Sequence, residues 1–269
     1  SNIEDAEIVA PKMITLLSFK GSNEESIVKN IIFKGITLRN TDSVAEIIKV
    51  TTADAPQQFG GIYMENSKGI EIKDCKIHNM GFHAVFMNGS NEENIISGNH
   101  IYDIGHTGVQ IEGYYISSKN VSKRNKITNN VIENMGLHVG HGAGIQLIQS
   151  GENIVSHNKI RKTPRYSISF KLWPISLFIS EVKEIEGVKL SRENARDYSY
   201  TRNNIIEFND VSEANYDSQD TGVIEAWGAG TGNIIRNNRI HDSSMSFSFG
   251  FGIYLDDEAD GFIVKDNII

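Results

Sequence analysis

The chain has a single cysteine, Cys75, and only four prolines among its 269 residues. One thiol excludes an internal disulfide framework and any multi-cysteine metal site. Basic residues are in the minority, 26 Lys+Arg against 34 Asp+Glu, for a formal net charge of −8. A nucleic-acid partner would require a basic face for its phosphates, so none is expected; a neutral, cationic or metal-bridged ligand suits the acidic balance better. No apolar run approaches the ~20 residues of a membrane span, and no membrane partner is expected. No stretch sustains a period of 3.6, which removes helical repeats. The N-terminus, Ser1-Asn2-Ile3-Glu4-Asp5, lacks the basic-then-apolar layout of a signal peptide, so the chain reads as mature, trimmed, or cut from something longer.

What the sequence does have is asparagine in recurring phrases. Ile96-Ser97-Gly98-Asn99-His100-Ile101 returns as Ile127-Thr128-Asn129-Asn130-Val131-Ile132, then around Asn158, Asn209, Asn238 and Asn267. Two earlier copies carry Ile36 and Cys75 in the same column. The steps along the column are 39, 24, 31, 28, 51, 29 and 29 residues. Internal repeats of this length mean a solenoid or array. Each phrase is short, with β-branched residues alternating with polar ones, so it reads as a strand. Coils of short strands and turns make an all-β, parallel β-helix of about eight coils. Rungs about 4.8 Å apart let stacked Asn side chains hydrogen-bond along the stack.

A second column starts at Ile62, Val85, Val109, Ile145, Ile168, Val223 and Ile253, usually after a small residue. Alternation puts the first and third positions inward, which leaves Glu225 as a buried exception. The second and fourth positions face out and mix aromatic, amide and charged residues, including Gln146, Tyr254, Glu112, Lys171 and Asp256. This outer face is expected to be a ligand groove. The 51-residue step contains a long insertion near 172–200, where Ile179 to Leu190 alternates like a hairpin; it reads as a loop or hairpin leaving the stack, or as one disguised extra coil, and Tyr114 to Arg124 reads as a shorter loop. The chain starts with a strand-like Glu7-Ile8-Val9-Ala10-Pro11 and stops inside an Asn phrase. Solenoid ends need covering, so residues 1–269 are expected to be one β-helix domain from a longer protein, with possible flanking domains, the alternative being an end-to-end oligomer.

The densest cluster of unusual residues lies in the last third: Tyr216-Asp217-Ser218-Gln219-Asp220-Thr221-Gly222, Glu225-Ala226-Trp227-Gly228, and Gly252-Ile253-Tyr254-Leu255-Asp256-Asp257. Carboxylates on adjacent rungs can reach the separations that glycoside hydrolysis uses, about 5–5.5 Å or 6.5–9.5 Å. Asp220 lies before its strand and Asp256 late in the next, so the corner must fold Asp220 towards the groove. Glu225 is either turned outward by a bulge or is a buried support. Around these candidates, His106, His141 and Arg165 precede strand starts as Asp220 does, and Glu112 and Lys171 share the outward column of Asp256. Trp227 and Tyr254 could stack on sugar rings. His138-Val139-Gly140-His141 lacks a third ligand and reads as a hydrogen-bonding loop, not a metal site, and Gly228 to Gly232 reads as a turn without the Lys-Ser/Thr of a phosphate loop.

Taken together, Ile160 to Ile168, Ser218-Gln219-Asp220-Thr221-Gly222, Glu225-Ala226-Trp227-Gly228, Asn233 to Asn238 and Ile253-Tyr254-Leu255-Asp256-Asp257 resemble bacterial right-handed parallel β-helix proteins of carbohydrate metabolism. The resemblance is strongest to glycoside hydrolase family 141, the fucosidase and xylanase type. It implies an extracellular or periplasmic enzyme on a polysaccharide or oligosaccharide. Asp220 would be one catalytic carboxylate and Asp256 or Asp257 the other, with no cofactor. The residues leave three functions open. A glycoside hydrolase would use the Asp pair. A lyase or epimerase would use Lys171 or Arg165, with Asp217, Asp220, Asp256 and Asp257 holding Ca²⁺ against a uronate. A non-catalytic module would only bind glycan.

Overall fold

A computed structural model describes residues 9–43, 59–114, 118–228, 230–243 and 249–269. Each Asn phrase folds as a three-residue strand followed by one residue in the left-handed region. That residue is Gly35, Asp74, Gly98, Asn129, His157, Phe208, Asn237 or Asp266, at φ between 52° and 72°. Glycine, Asn and Asp adopt this conformation readily; His157 and Phe208 hold it at a steric cost of roughly 1–2 kcal/mol. The kink bends the chain into the next strand and presents the following Asn to the interior.

Three sheets result, every neighbouring pair along them parallel. The long sheet runs through Leu17–Lys20, Gly60–Lys68, His83–Glu92, Val109–Glu112, Ile145–Ile148, Ile168–Lys171, Thr221–Trp227 and Gly250–Asp256. A second contains the Asn-phrase strands, from Ile32–Lys34 to Ile263–Lys265, and a third runs from Thr37–Arg39 to Arg239–His241. One pass through the three is a coil, and among the described residues the eight strands along the main path of the long sheet, which Val28–Lys29, Ser122–Lys123 and Ser150–Gly151 extend at its side, mark eight coils of a right-handed parallel β-helix. Leu17–Lys20, aligned with Ile62 to Glu65, is a member of the long sheet that the sequence pattern did not reveal. Inside, aliphatic columns such as Ile72, Ile96, Ile127, Val155, Ile206 and Ile235 are fully buried.

The Asn column is continuous from Asn99 through Asn130, Asn158, Asn209 and Asn238 to Asn267. Each Nδ2 donates to the next Oδ1 at 2.9–3.0 Å. Each Oδ1 also accepts the backbone N–H of the preceding Asn. A second ladder lies five residues earlier, Asn94, Asn125, Asn153, Asn204 and Asn233, at 2.9–3.2 Å. Both flank the second sheet, so its strands enter and leave through buried amides that satisfy the turns' otherwise orphaned backbone groups.

Three expectations are corrected. First, Ile168 pairs with Ile224, not Val223, and Ile224 with Ile253. The cause is a doubled inward position at the start of the long-sheet strands: Ala84 and Val85, and likewise Val223 and Ile224, are all in the core. A Cβ on Gly61, Gly108 or Gly144 would likewise meet the interior side chains Met80, Ile132 or Ile160. Glu225 and Trp227 therefore lie in the outward columns and Ala226 lies inward. Second, the insertion is not hairpin alone. It forms an α-helix, Ile175–Val182, then a hairpin of Glu184–Ile185 and Val188–Lys189, then a 3₁₀ turn, Ala195–Tyr198. Ile175, Phe178, Ile185, Leu190 and Ala195 give it a small core of its own. Third, much of the outward face is buried: Gln110, Glu112, Gln146, Ile148, Ser169 and Glu225 are each no more than 8% exposed. In the expected terminal strand, residues 7 and 8 lie outside the described residues and Val9 to Pro11 are not strand. Within the shorter loop, Ser122–Lys123 is a strand, and residues 115–117 lie outside the described set. The expected Gly228 to Gly232 turn includes residue 229, also outside it.

Asn158→Ala would orphan the buried N–H of Asn130 and break amide bonds on both sides. It is expected to destabilise the protein by about 2–4 kcal/mol, read from the urea midpoint. A loss below 0.5 kcal/mol would show that the ladder is decoration.

Candidate functional site

The doubled inward position has a second effect. It turns the residue two places before each strand start outward, so His83, Tyr166 and Phe251 join the outer face of the long sheet. His83 packs against Phe86 and His106, with ring centroids 5.3 and 5.0 Å away, and Phe251 packs against Tyr254 at 4.6 Å.

Three groups of polar residues follow one another across this face. The first is a buried, largely uncharged stretch. His106 stacks on Phe82 at 4.7 Å and 11°; Gln110 donates to Glu112 at 2.9 Å; Gln146 stands between Gln110 and Ser169 in register. Burial lowers the His106 imidazole to about 4. His83 is held well below the ordinary range by burial and by His106.

The second group centres on Tyr166, which is fully buried. Its hydroxyl lies 3.3 Å from His141 Nδ1. Lys171 Nζ stands 4.6 Å from its ring centroid, and the Arg165 guanidinium 5.2 Å. Lys171 is bound to Glu225 at 2.6 Å, with side chains only 15% and 2% exposed; the other Glu225 oxygen accepts the Gly222 N–H at 3.1 Å. Burial alone would lower the Lys171 ammonium, but Tyr166 and Glu225 outweigh it and the ammonium is raised. His141 is pushed down to about 3 by burial first, then by Arg165 and Lys171. The group is a neutral imidazole against a phenol, bracketed by cations.

The third group is the acidic one. Asp220, in the left-handed region at φ 52°, is turned over the face by its corner. Its backbone carbonyl accepts Arg165 Nη2 at 3.0 Å, which joins this group to the second. Tyr254 Oη lies 3.4 Å from Asp220 Oδ1, and the Asp256 carboxylate is near enough to act on it electrostatically. The phenol has one proton and can serve one carboxylate at a time. Asp256 is raised above the usual carboxylate range, by burial first and then by the charges of Asp257 and Asp220. Tyr254, pushed up to about 12 by burial and both carboxylates, stays protonated at neutral pH. Gly222 makes this possible: a Cβ there would lie 2.6 Å from Tyr254 Cβ.

Asp220 and Asp256 are thus brought together. Asp257 points elsewhere and accepts Trp227 Nε1 at 2.8 Å. Asp217 packs against Gly140, beside His141, 3.1 Å from where a Cβ would stand. Among the described residues, no three His, Cys, Asp or Glu side chains are grouped to hold a metal, so the four aspartates do not form one ligand set. Lys171 is tied to Glu225 and is not placed as a free base. Tyr166 was not foreseen, because simple alternation from Ile168 points it inward. Its signal is the column of small residues just before the strand starts, which marks the doubled inward position.

This stack of parallel coils with a polar outer face belongs to the right-handed beta helix family, whose model matches residues 17–173, more than half of the chain. No curated protein matches it by sequence. A solved structure described as a glycoside hydrolase is similar, with a TM-score of 0.70 at 14% identity, covering 96% of this chain and 51% of that one. The chain therefore spans about half the length of that structure. An alginate lyase from Paenibacillus sp. str. FPU-7 matches at 15% identity and a TM-score of 0.45, covering 78% of this chain and 76% of that one.

His83, His106 and His141 stay neutral in the folded protein well below the ordinary histidine value of 6.5. The unfolded chain takes up protons at these positions first, so stability falls as pH drops from about 6.5 towards 4. Urea midpoints at pH 7, 6 and 5 should decline in that order, and His106→Gln should flatten the decline. A midpoint constant or rising towards pH 5 would contradict this.

Proposed function

We propose that the chain is the β-helix part of a carbohydrate-active enzyme. On this reading, a polysaccharide lies across the outer face of the long sheet, and a glycosidic bond is hydrolysed between Asp220 and Asp256. The supporting observation is the placement of Asp220 and Asp256 about the Tyr254 hydroxyl, with the Asp256 carboxyl raised by burial and by its acidic neighbours. A carboxyl group that holds its proton more tightly than usual suits the role of general acid. Asp256 donates its proton to the glycosidic oxygen as the bond to the anomeric carbon breaks. Asp220 either takes a proton from the attacking water or attacks that carbon itself, in which case a water deprotonated by Asp256 then displaces Asp220 from the sugar. Tyr254 donates to whichever carboxylate carries the negative charge. Trp227 and Tyr254 offer ring faces to a sugar. Arg165, His141, Asp217 and the buried stretch of His106, Gln146 and Glu112 line further positions along the chain. Glu225 and Lys171 support the floor as a buried ion pair rather than react. The fold of the similar glycoside hydrolase agrees with this reading, and a polysaccharide-cleaving enzyme of this class would act outside the cytoplasm.

One arrangement favours a second reading, a lyase for a uronate polymer. His141 and Tyr166 form a neutral base and phenol pair beside Arg165 and Lys171, which could neutralise a sugar carboxylate.

A panel of neutral and uronate polysaccharides, with reducing ends and ultraviolet absorbance read together, separates the two. Under the hydrolase reading, Asp220→Asn and Asp256→Asn each lower kcat by roughly 10²–10⁴-fold and no absorbing product forms. Absorbing products abolished by His141→Ala would replace it with the lyase. Glycan binding without turnover would leave only a binding module.

Replacing Lys171 by Met leaves Glu225 buried without its partner. The variant should be less stable by about 3–5 kcal/mol, while the double variant Lys171→Met, Glu225→Gln regains most of the loss. Equal stability of the two variants would mean that the pair is not coupled.

A further inference from the structure

Asp256 opens a short acidic turn, Asp256-Asp257-Glu258-Ala259-Asp260. Its backbone is unusual: Asp257 and Glu258 are consecutive residues in the left-handed region, at φ 39° and 61°. Asp tolerates this region, but Glu258 holds it at a steric cost, so the turn is strained there and gains from outside support. Three of the four carboxylates receive that support. Asp257 accepts the Trp227 indole N–H at 2.8 Å. Glu258 accepts the Ser176 N–H at 2.8 Å and Arg192 Nη1 at 3.2 Å. Asp260 takes both arms of the Arg196 guanidinium at 2.5 Å each. Among the described residues, no cation pairs with Asp256.

Ser176, Arg192 and Arg196 all belong to the insertion. The helix Ile175–Val182 has Pro174 at its N-cap and no side-chain cap of its own, and the Glu258 carboxylate takes up one of its free N–H groups. A carboxylate there also meets the positive end of the helix dipole. The insertion is tied back to the coils as well. Leu172 N–H bonds the Trp227 carbonyl, Tyr200 N–H bonds Gln149 Oε1, and Gly228 passes so close to Leu172 and Pro174 that no Cβ would fit. It has an apolar core of its own and is fixed to the coils at both ends.

We propose that the insertion, residues 172–200, is a positioning device for Asp256: it clamps the acidic turn through Arg192, Arg196 and the helix N-terminus, so that Asp256 alone faces Tyr254 and Asp220. A lone exposed ion pair would do little. Here an ion pair, a forked pair and a helix cap converge on one strained turn, and the fork fixes orientation as well as charge. Arg192 and Arg196 touch no sugar; they act through the turn. This rests on the hydrolase reading for its effect on turnover, but not for its effect on Asp256.

The test uses Arg192→Met with Arg196→Met in the whole protein, and Asp260→Asn as a second variant that opens the fork from the other side and leaves the insertion core intact. The proton affinity of Asp256 is read by carboxyl NMR titration, and kcat and KM are read separately. Freed from the clamp, the turn relaxes into solvent, and the Asp256 titration moves down towards the ordinary carboxylate range. In the same variants kcat falls tenfold or more, its acid-to-neutral pH profile shifts with the titration, and KM changes less than twofold. Arg196→Lys restores part of the loss. An unchanged Asp256 titration in both variants overturns the proposal. A shifted titration in an enzyme whose turnover is absent, or indifferent to Asp256→Asn, upholds the clamp and overturns the hydrolase reading instead.

Discussion

The buried amide is the interaction on which the rest of this molecule depends. An Asn side chain has two donors and an acceptor, and a turn between short strands leaves backbone groups without partners. Stacking one Asn on the next solves both problems, because each Oδ1 serves the neighbour's side chain and backbone together. The solution works only if every coil returns to the same point in the same register. The two ladders flanking the second sheet therefore act as a fixed edge. Wherever the chain wanders on the opposite side, it must come back to that edge. The aliphatic columns supply most of the favourable free energy through burial, and the ladders decide which register that burial adopts.

This division explains why one side of the helix is regular and the other carries the chemistry. The second and third sheets repeat with short strands and tight left-handed corners. The long sheet has strands from two to ten residues, loops of different length, and two inward residues in succession at the starts of strands such as those of Val85 and Ile224. That doubling costs one step of alternation and brings a further row of side chains onto the outer face. Tyr166 and His83 owe their positions to it. The outer face is consequently deeper and more buried than a flat sheet, with a lysine and glutamate in its floor.

Legibility in the sequence follows the same line. The first Asn ladder was plain because its phrases repeat whole, and it carried the fold class with it. The second ladder, from Asn94 to Asn233, is equally regular but sits in the turn ahead of each phrase, outside the strand pattern that drew attention. Alternation placed Gln146, Lys171 and Asp256 on the outer face, where they are found. It failed at Glu225, since Val223 and Ile224 are both apolar and both inward, and periodicity cannot say which one begins the strand. The helix Ile175–Val182 was hidden for a related reason: eight residues, apolar through most of their length, fit a strand as well as a helix. That the corner before Thr221 folds Asp220 over the face depends on a left-handed residue and on Gly222, which no count of spacing contains.

The fixed edge has a consequence for how such a protein can change. Because each coil is obliged to match its neighbours along the amide columns and hardly at all along the loops, whole segments on the long-sheet side are free to be exchanged, lengthened or removed without disturbing the winding. The helix and hairpin of residues 172–200 illustrate this: they leave from Lys171 and rejoin by Thr201, between two coils that stack as if nothing intervened. A scaffold of this kind can acquire a new specificity in one lineage step, by swapping an excursion as a unit, while its backbone architecture stays ancestral.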